Sequence, residues 1–334
     1  MTTDAVLARA VPGHSHGGTL LELPPMRCAE SARMRGEPLQ ASAVRYRRFL
    51  LLEVPGPWGS SAFDEKHMDA EVAHKLSESA AAANTHVMLI RRPGRHPGAG
   101  HDSEKRAMAW AFADVASGTS RILWGVWRDP ADLLELDLTA EIPAEANAAG
   151  PQQLALVCTN GKRDQCCAIR GRPVAAAVAA STGWDTWECS HLGGHRFAAT
   201  MMLLPTGDMF GWLDSDSAID VMRRFDAGHI MLSHYRGRAG QSFPEQAALH
   251  AAAVKLGDFR RGAIHASSMR QIEGVPGQDE LWEIEVIHRT DRSPGTAYQM
   301  ILAGSSVAPS FLSCSDTSPK AEVHYETLSF SRME

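Results

Sequence analysis

The chain has 334 residues, 44% hydrophobic and 22% charged, with a formal net charge of −6 and a pI near 6.2. This is the balance of an ordinary globular protein, which excludes fibrous and disordered classes, and the overall charge leaves no electrostatic footprint for nucleic acid. The length exceeds what one hydrophobic core usually serves, so two packed domains are expected.

Residues 1–20 are rich in small residues without an apolar period and read as a mobile tail, with His14 and His16 solvated in it. The start lacks both a basic segment and a sustained apolar run, and no stretch approaches eighteen apolar residues, so a cytoplasmic chain with no membrane partner is expected. Tyr46–Val54 reads as a buried strand closed by the turn-rich 55–59, followed by a helix over 69–83 with Val72, Leu76 and Ala80 on one face. His86–Ile90 is the next strand, giving the strand, helix, strand order of a parallel α/β unit. A Gly/Pro/His loop over 93–102 precedes Ala107–Val115, read as a helix, and Arg121–Trp127, read as a strand. Residues 140–150 carry small residues and no aromatic, and serve as the expected linker.

The second unit opens with the short strand Leu154–Val157, which runs into Cys158. A polar loop over 159–165, a helix over 172–181 and a strand over 186–190 follow. Residues 199–204 and 209–213 flank Pro205-Thr206-Gly207-Asp208 as a hairpin, and 217–226 reads as an amphipathic helix. Residues 282–288 and 297–303 form another hairpin, and with 322–330 predict a small antiparallel sheet. The expected domains are therefore a tail over 1–20, a first α/β unit over 21–145, a second over 146–262 and a β appendage over 263–334.

Of the six cysteines, four lie between positions 158 and 189, a clustering that favours a metal or redox site over a disulfide framework. Cys158 and Cys167 are separated by eight residues, and His191 and His195 by three, and each pair brackets a flexible loop. Soft thiolates with imidazoles suit zinc or an iron–sulfur cluster, while a redox dithiol or plain buried thiols use the same cysteines. Both thiols are expected near a helix N-terminus, which stabilises anions, and Lys162, Arg163, Arg170, Arg172 and Arg196 surround the same loops. Gly193 and Gly194 let the chain wrap closely around an inorganic centre. Cys166 directly precedes Cys167, so the ligand register stays open by one residue. Cys189 is expected to point away from the pocket as a buried thiol, and Cys28 and Cys314 are read as structural, with interest attaching to Cys314 if the fold brings it near the site.

The strings CTNGKRDQCC (158–167), SHLGGHRFA (190–198), PTGDMFG (205–211) and YRGR (235–238) resemble the sucrase/ferredoxin-like family, relatives of the thioredoxin-like ferredoxins. The resemblance is strongest over 154–240 and extends more weakly to CAESAR (28–33) and EVPGPWG (53–59). It implies an α/β fold in which a thioredoxin-like ferredoxin domain follows a second thioredoxin-like unit. It also implies a 2Fe–2S cluster held by Cys158, Cys167, His191 and His195.

The expectation is an electron-transfer protein, proton-coupled through the histidines, that exchanges electrons with redox-protein donors and acceptors. The alternatives are a redox enzyme with a small-molecule substrate and a zinc-stabilised structural module. No carboxylate pair of glycosidase character accompanies these loops, so sugar hydrolysis is not expected. No dinucleotide, Walker or nucleophile-elbow motif accompanies them either.

Overall fold

The structure is a computed structural model that describes residues 26–63, 68–94, 107–115, 121–142, 150–273, 279–290 and 293–334. The readings for 1–20, including His14 and His16, and for most of the 93–102 loop and the 140–150 linker fall outside the described residues.

After a short helix α1 (Cys28–Met34), β1 (Arg48–Glu53) and β2 (Thr85–Arg91) pair in parallel across α2 (Ala70–Ala82). Asp69 caps α2 by accepting from the Glu71 amide, and Ala73, Leu76 and Ala80 turn inward against Leu50, Leu52, Val87 and Leu89. β3 (Met108–Asp114) and β4 (Arg121–Trp127) add antiparallel on the far side of β1. The helix expected over 107–115 is thus a strand. Its alanines suggested helix, but Ala111 and Ala113 face one core while Met108, Trp110 and Phe112 face another, a period of two that only a strand satisfies.

The same order repeats. β5 (Leu154–Cys158) and β6 (Asp185–Cys189) pair in parallel across α3 (Gln165–Ser181), and β7 (Met201–Leu204), β8 (Asp208–Phe210) and β9 (Tyr235–Arg238) continue antiparallel beyond β5. α4 (Ser215–Asp226) packs Ala218, Val221, Met222 and Phe225 against α3 and the sheet. These are two thioredoxin-like units, and they join where β2 meets β6 antiparallel, making one sheet of order β4-β3-β1-β2-β6-β5-β7-β8-β9. At the seam Arg91 and Glu188 are register partners and form a buried ion pair at 2.7 Å.

Strand alternation divides the core. Leu50 and Leu52 of β1 and Ala155 and Val157 of β5 face the helices, while Phe49, Leu51, Leu154, Leu156 and Cys158 face a single cluster built from both units. The sheet curls around this shared cluster far enough for Arg238 of β9 to donate to the carbonyl of Val115, just past β3, at 3.1 Å.

The C-terminal part is a four-stranded antiparallel sheet of β10 (Ile264–Ile272), β11 (Glu280–Thr290), β12 (Ser293–Ser306) and β13 (Val323–Arg332). Helix α5 (Phe243–Leu256) lays Ala247, Ala248 and Ala252 on Ile284, Val286, Met300 and Leu302 of that sheet. Among the described residues no helix is long and apolar enough to cross a membrane.

Candidate metal centre

Parallel pairing of β5 and β6 brings their C-terminal ends side by side, which is where open α/β sheets place ligands. Cys158 ends β5, and the loop after it is held by Asn160, whose side chain donates to the Gly59 carbonyl at 2.8 Å, and by Thr159, which donates to Glu188 at 3.0 Å. α3 begins at Gln165 rather than near Arg172, because Asp164 caps it by accepting from the Cys166 amide at 2.8 Å. Cys166 and Cys167 therefore occupy the helix's first turn instead of preceding it, and the helix runs on through Pro173. Gly171 is required one turn later: a Cβ there would lie 2.1 Å from the Cys158 carbonyl oxygen, so α3 can lie this close to β5 only with glycine.

The second loop leaves β6 after Cys189, carries His191, and passes through Gly193 and Gly194, both at φ +70, to His195 at the head of a 3-10 turn. A Cβ on Gly194 would meet the Arg236 guanidinium at 2.4 Å. Arg236 is 1% exposed and anchors the loop: it donates to the Gly193 carbonyl at 3.0 Å, to the Ser42 hydroxyl at 3.1 Å and to the Ser42 carbonyl.

The four sequence candidates come together as a chain of contacts. Cys158 and Cys167, each 1% exposed, share a hydrogen bond; Cys167 Sγ lies 3.2 Å from His195 Nδ1; and the His195 and His191 rings stack with centroids 4.9 Å apart. The bond from Cys167 outweighs burial and holds Cys158 below the ordinary thiol range, while Cys167 is pushed up. Burial, reinforced by His195 and His86, lowers His191 to about 3, and burial lowers His195 as well. Both imidazoles are therefore neutral near pH 7, with lone pairs available. Among the described residues His191 Nδ1 is one of two buried side-chain polar atoms with no hydrogen-bond partner. A buried ring nitrogen left unpaired, next to a second neutral imidazole that itself touches a thiol, is a donor set that fits a soft-metal centre.

The two adjacent cysteines turn to different neighbours. Cys167 turns toward His195, whereas Cys166 turns to Cys28 and Cys314. Cys189 does not point away from the pocket: it is the register partner of Cys158 on the adjacent strand and shares its core cluster, since neighbouring residues across a ladder project to the same face. Of the five cations read from sequence, Arg163 lines a cavity of about 400 Å³ beside His191, together with Tyr46, Phe63 and His86. Arg170 pairs with Glu30 at 3.3 Å, and Arg196 is buried between Glu37 at 2.6 Å and Glu322 at 2.5 Å.

Sequence reasoning missed Arg236 and His86. Arg236 stood inside the YRGR string, and His86 Nε2 lies 3.0 Å from the His191 carbonyl. The Glu37–Arg196 pair yields a pH prediction. Burial raises the Glu37 carboxyl, but Arg35 and Arg196 outweigh it and hold the group below its usual 4.5. A depressed carboxylate contributes stability that is complete above its unfolded value and lost as pH falls through the lower folded one. Glu37→Gln should therefore cost about 3 kcal/mol near neutral pH, and urea unfolding should show that gap closing below about pH 4.5.

No curated protein and no solved structure matches the chain. The family model for sucrase/ferredoxin-like proteins matches residues 39–237, a span that runs from before β1 to β9 and contains all four candidate ligands. More than half of the chain is covered, and the chain belongs to the sucrase/ferredoxin-like family.

Proposed function

We propose that this is an electron-transfer protein whose Cys158, Cys167, His191 and His195 hold a 2Fe–2S cluster. The observation that carries the reading is the arrangement of donors: two buried thiols, Cys167 within 3.2 Å of the neutral His195 imidazole, and beyond it His191, which lines the cavity with its Nδ1 unpaired. When bound, such a cluster takes up and releases one electron. The chain's own residues shape what that costs. Arg236 sets a buried positive charge beside the thiolates, and Arg163 adds another near the histidines, so added negative charge is offset.

The strung-out contacts from Cys158 through Cys167 and His195 to His191 suit a centre wider than one ion. A single zinc needs its four donors gathered around one point within about 2.0–2.3 Å. Among the described residues, the set with all ligand atoms within 4.8 Å of one another lies elsewhere, at Cys28, Asp164, Cys166 and Cys314. A redox enzyme is the second reading, favoured by the cavity of about 400 Å³ lined by His86, Arg163 and His191, which has room for a small molecule next to the centre.

The test is iron analysis, visible absorption and redox titration of the full-length protein purified anaerobically. We expect two irons per chain and a red-brown colour. The potential should lie above the roughly −400 mV of all-thiolate plant-type clusters, and should fall as pH rises because the second imidazole nitrogen exchanges a proton. Colourless protein containing zinc and no iron would overturn the reading.

A further inference from the structure

A second group of thiols lies on the other side of the same helix turn. Cys28 begins α1, Cys166 is in the first turn of α3, and Cys314 belongs to the segment between β12 and β13. The three sulfurs form a nearly equilateral triangle: Cys28 to Cys166 is 3.6 Å, Cys166 to Cys314 is 3.5 Å and Cys28 to Cys314 is 3.5 Å. The Asp164 carboxylate closes the figure, with its oxygens 3.5 and 3.8 Å from Cys28 Sγ.

These edges match a coordination shell. Four ligands arranged tetrahedrally at about 2.3 Å for sulfur and about 2.1 Å for oxygen are separated by about 3.8 Å between sulfurs and about 3.6 Å between sulfur and oxygen. A disulfide accounts for them less well, since bonding any two sulfurs leaves the third unpaired in the same spot. Backbone donors also face two of the sulfurs. The Cys28 amide donates to Cys314 Sγ at 3.4 Å, the Ala29 amide donates to Cys166, and the N-terminus of α3 adds positive potential. Asp164 is fixed in place by the Cys166 and Cys314 amides, each at 2.8 Å, and by the Ser313 hydroxyl at 2.8 Å. Cys28 and Cys166 are buried while Cys314 is exposed, which leaves an entry path for an ion.

We propose that Cys28, Cys166 and Cys314, with the Asp164 carboxylate, form a structural zinc site distinct from the Cys158/Cys167/His191/His195 centre. Zn²⁺ enters as the three thiol protons leave, with no change of oxidation state. The ion would tie α1, the start of α3 and the C-terminal segment to one point, and α3 carries Cys167 on its next residue. One helical turn thus addresses two centres, because consecutive positions on a helix project about 100° apart.

The experiment measures zinc and iron in the reduced full-length protein and titrates Zn²⁺ against a colorimetric chelator. One tightly held zinc per chain is expected. Cys314→Ser and Cys28→Ser should each weaken zinc binding at least about tenfold while leaving iron content and visible spectrum unchanged, and Cys167→Ser should keep the zinc. Because Cys314 is exposed, its replacement leaves the core intact even if Cys28→Ser misfolds. The proposal is overturned if the wild type fails to compete for Zn²⁺, if zinc is unaffected in both serine variants, or if zinc disappears in Cys167→Ser instead. Simultaneous loss of iron in Cys314→Ser also overturns it, since the two centres would then be one. The zinc readouts do not depend on whether the first centre holds iron.

Discussion

Cys158→Ser or Cys167→Ser should strip the protein of cluster iron, dropping it at least about tenfold, whereas Cys189→Ser should leave most of it. The geometry makes the contrast sharp. Cys158 and Cys167 share a hydrogen bond and Cys167 reaches His195 at 3.2 Å, while Cys189 shares their core with its amide and carbonyl engaged in the β6 ladder. Cys166→Ser should likewise keep the iron, because its sulfur belongs to the Cys28–Cys314 triangle. Replacing His191 or His195 with Cys should preserve a cluster but add negative charge, so its potential should drop toward the all-thiolate range near −400 mV. Iron retained in Cys167→Ser and lost in Cys166→Ser would shift the ligand set by one residue.

Arg236→Met should destabilise the fold by about 3 kcal/mol and lower cluster occupancy together. The guanidinium is buried, its pKa is lowered to about 9 chiefly by burial, and it supplies the donors for the Ser42 and Gly193 carbonyls. Methionine fills similar volume but leaves those acceptors without partners, at about 1–3 kcal/mol each. It also frees the Gly193–Gly194 turn that sets His191 against His195. Arg236→Lys should recover little, since a single ammonium cannot span both carbonyls as the planar fork does. Urea unfolding with iron analysis separates the two effects. A midpoint and iron content equal to wild type would show that the turn holds its shape without the arginine.

Much of this architecture can be read from the chain. The β1–α2–β2 and β5–α3–β6 repeats announce themselves through apolar runs separated by a helical period, and the Cys and His spacings mark the loops that the parallel strands then bring together. What escaped reading depends on partners remote in sequence. β3 looks helical because alanine is a helix former, and only the curled sheet explains why its concave face must be small at Ala111 and Ala113. The helix read over 172–181 begins seven residues earlier in the fold, and Asp164 before Gln165-Cys166-Cys167 is the capping signal in plain letters. The Cys28–Cys166–Cys314 triangle joins residues 138 to 286 positions apart, a proximity no local pattern encodes.

The β2–β6 seam has a consequence for how the molecule comes apart. Each unit contributes one wall of the cluster that contains Phe49, Met88, Leu156 and Trp187, so neither half has a complete interior without the other. Melting should pass through one transition, and a chain severed between β4 and β5 should yield two fragments that reassociate, as in split-protein complementation, with the severed halves finding each other through Arg91 and Glu188 and the apolar face behind them.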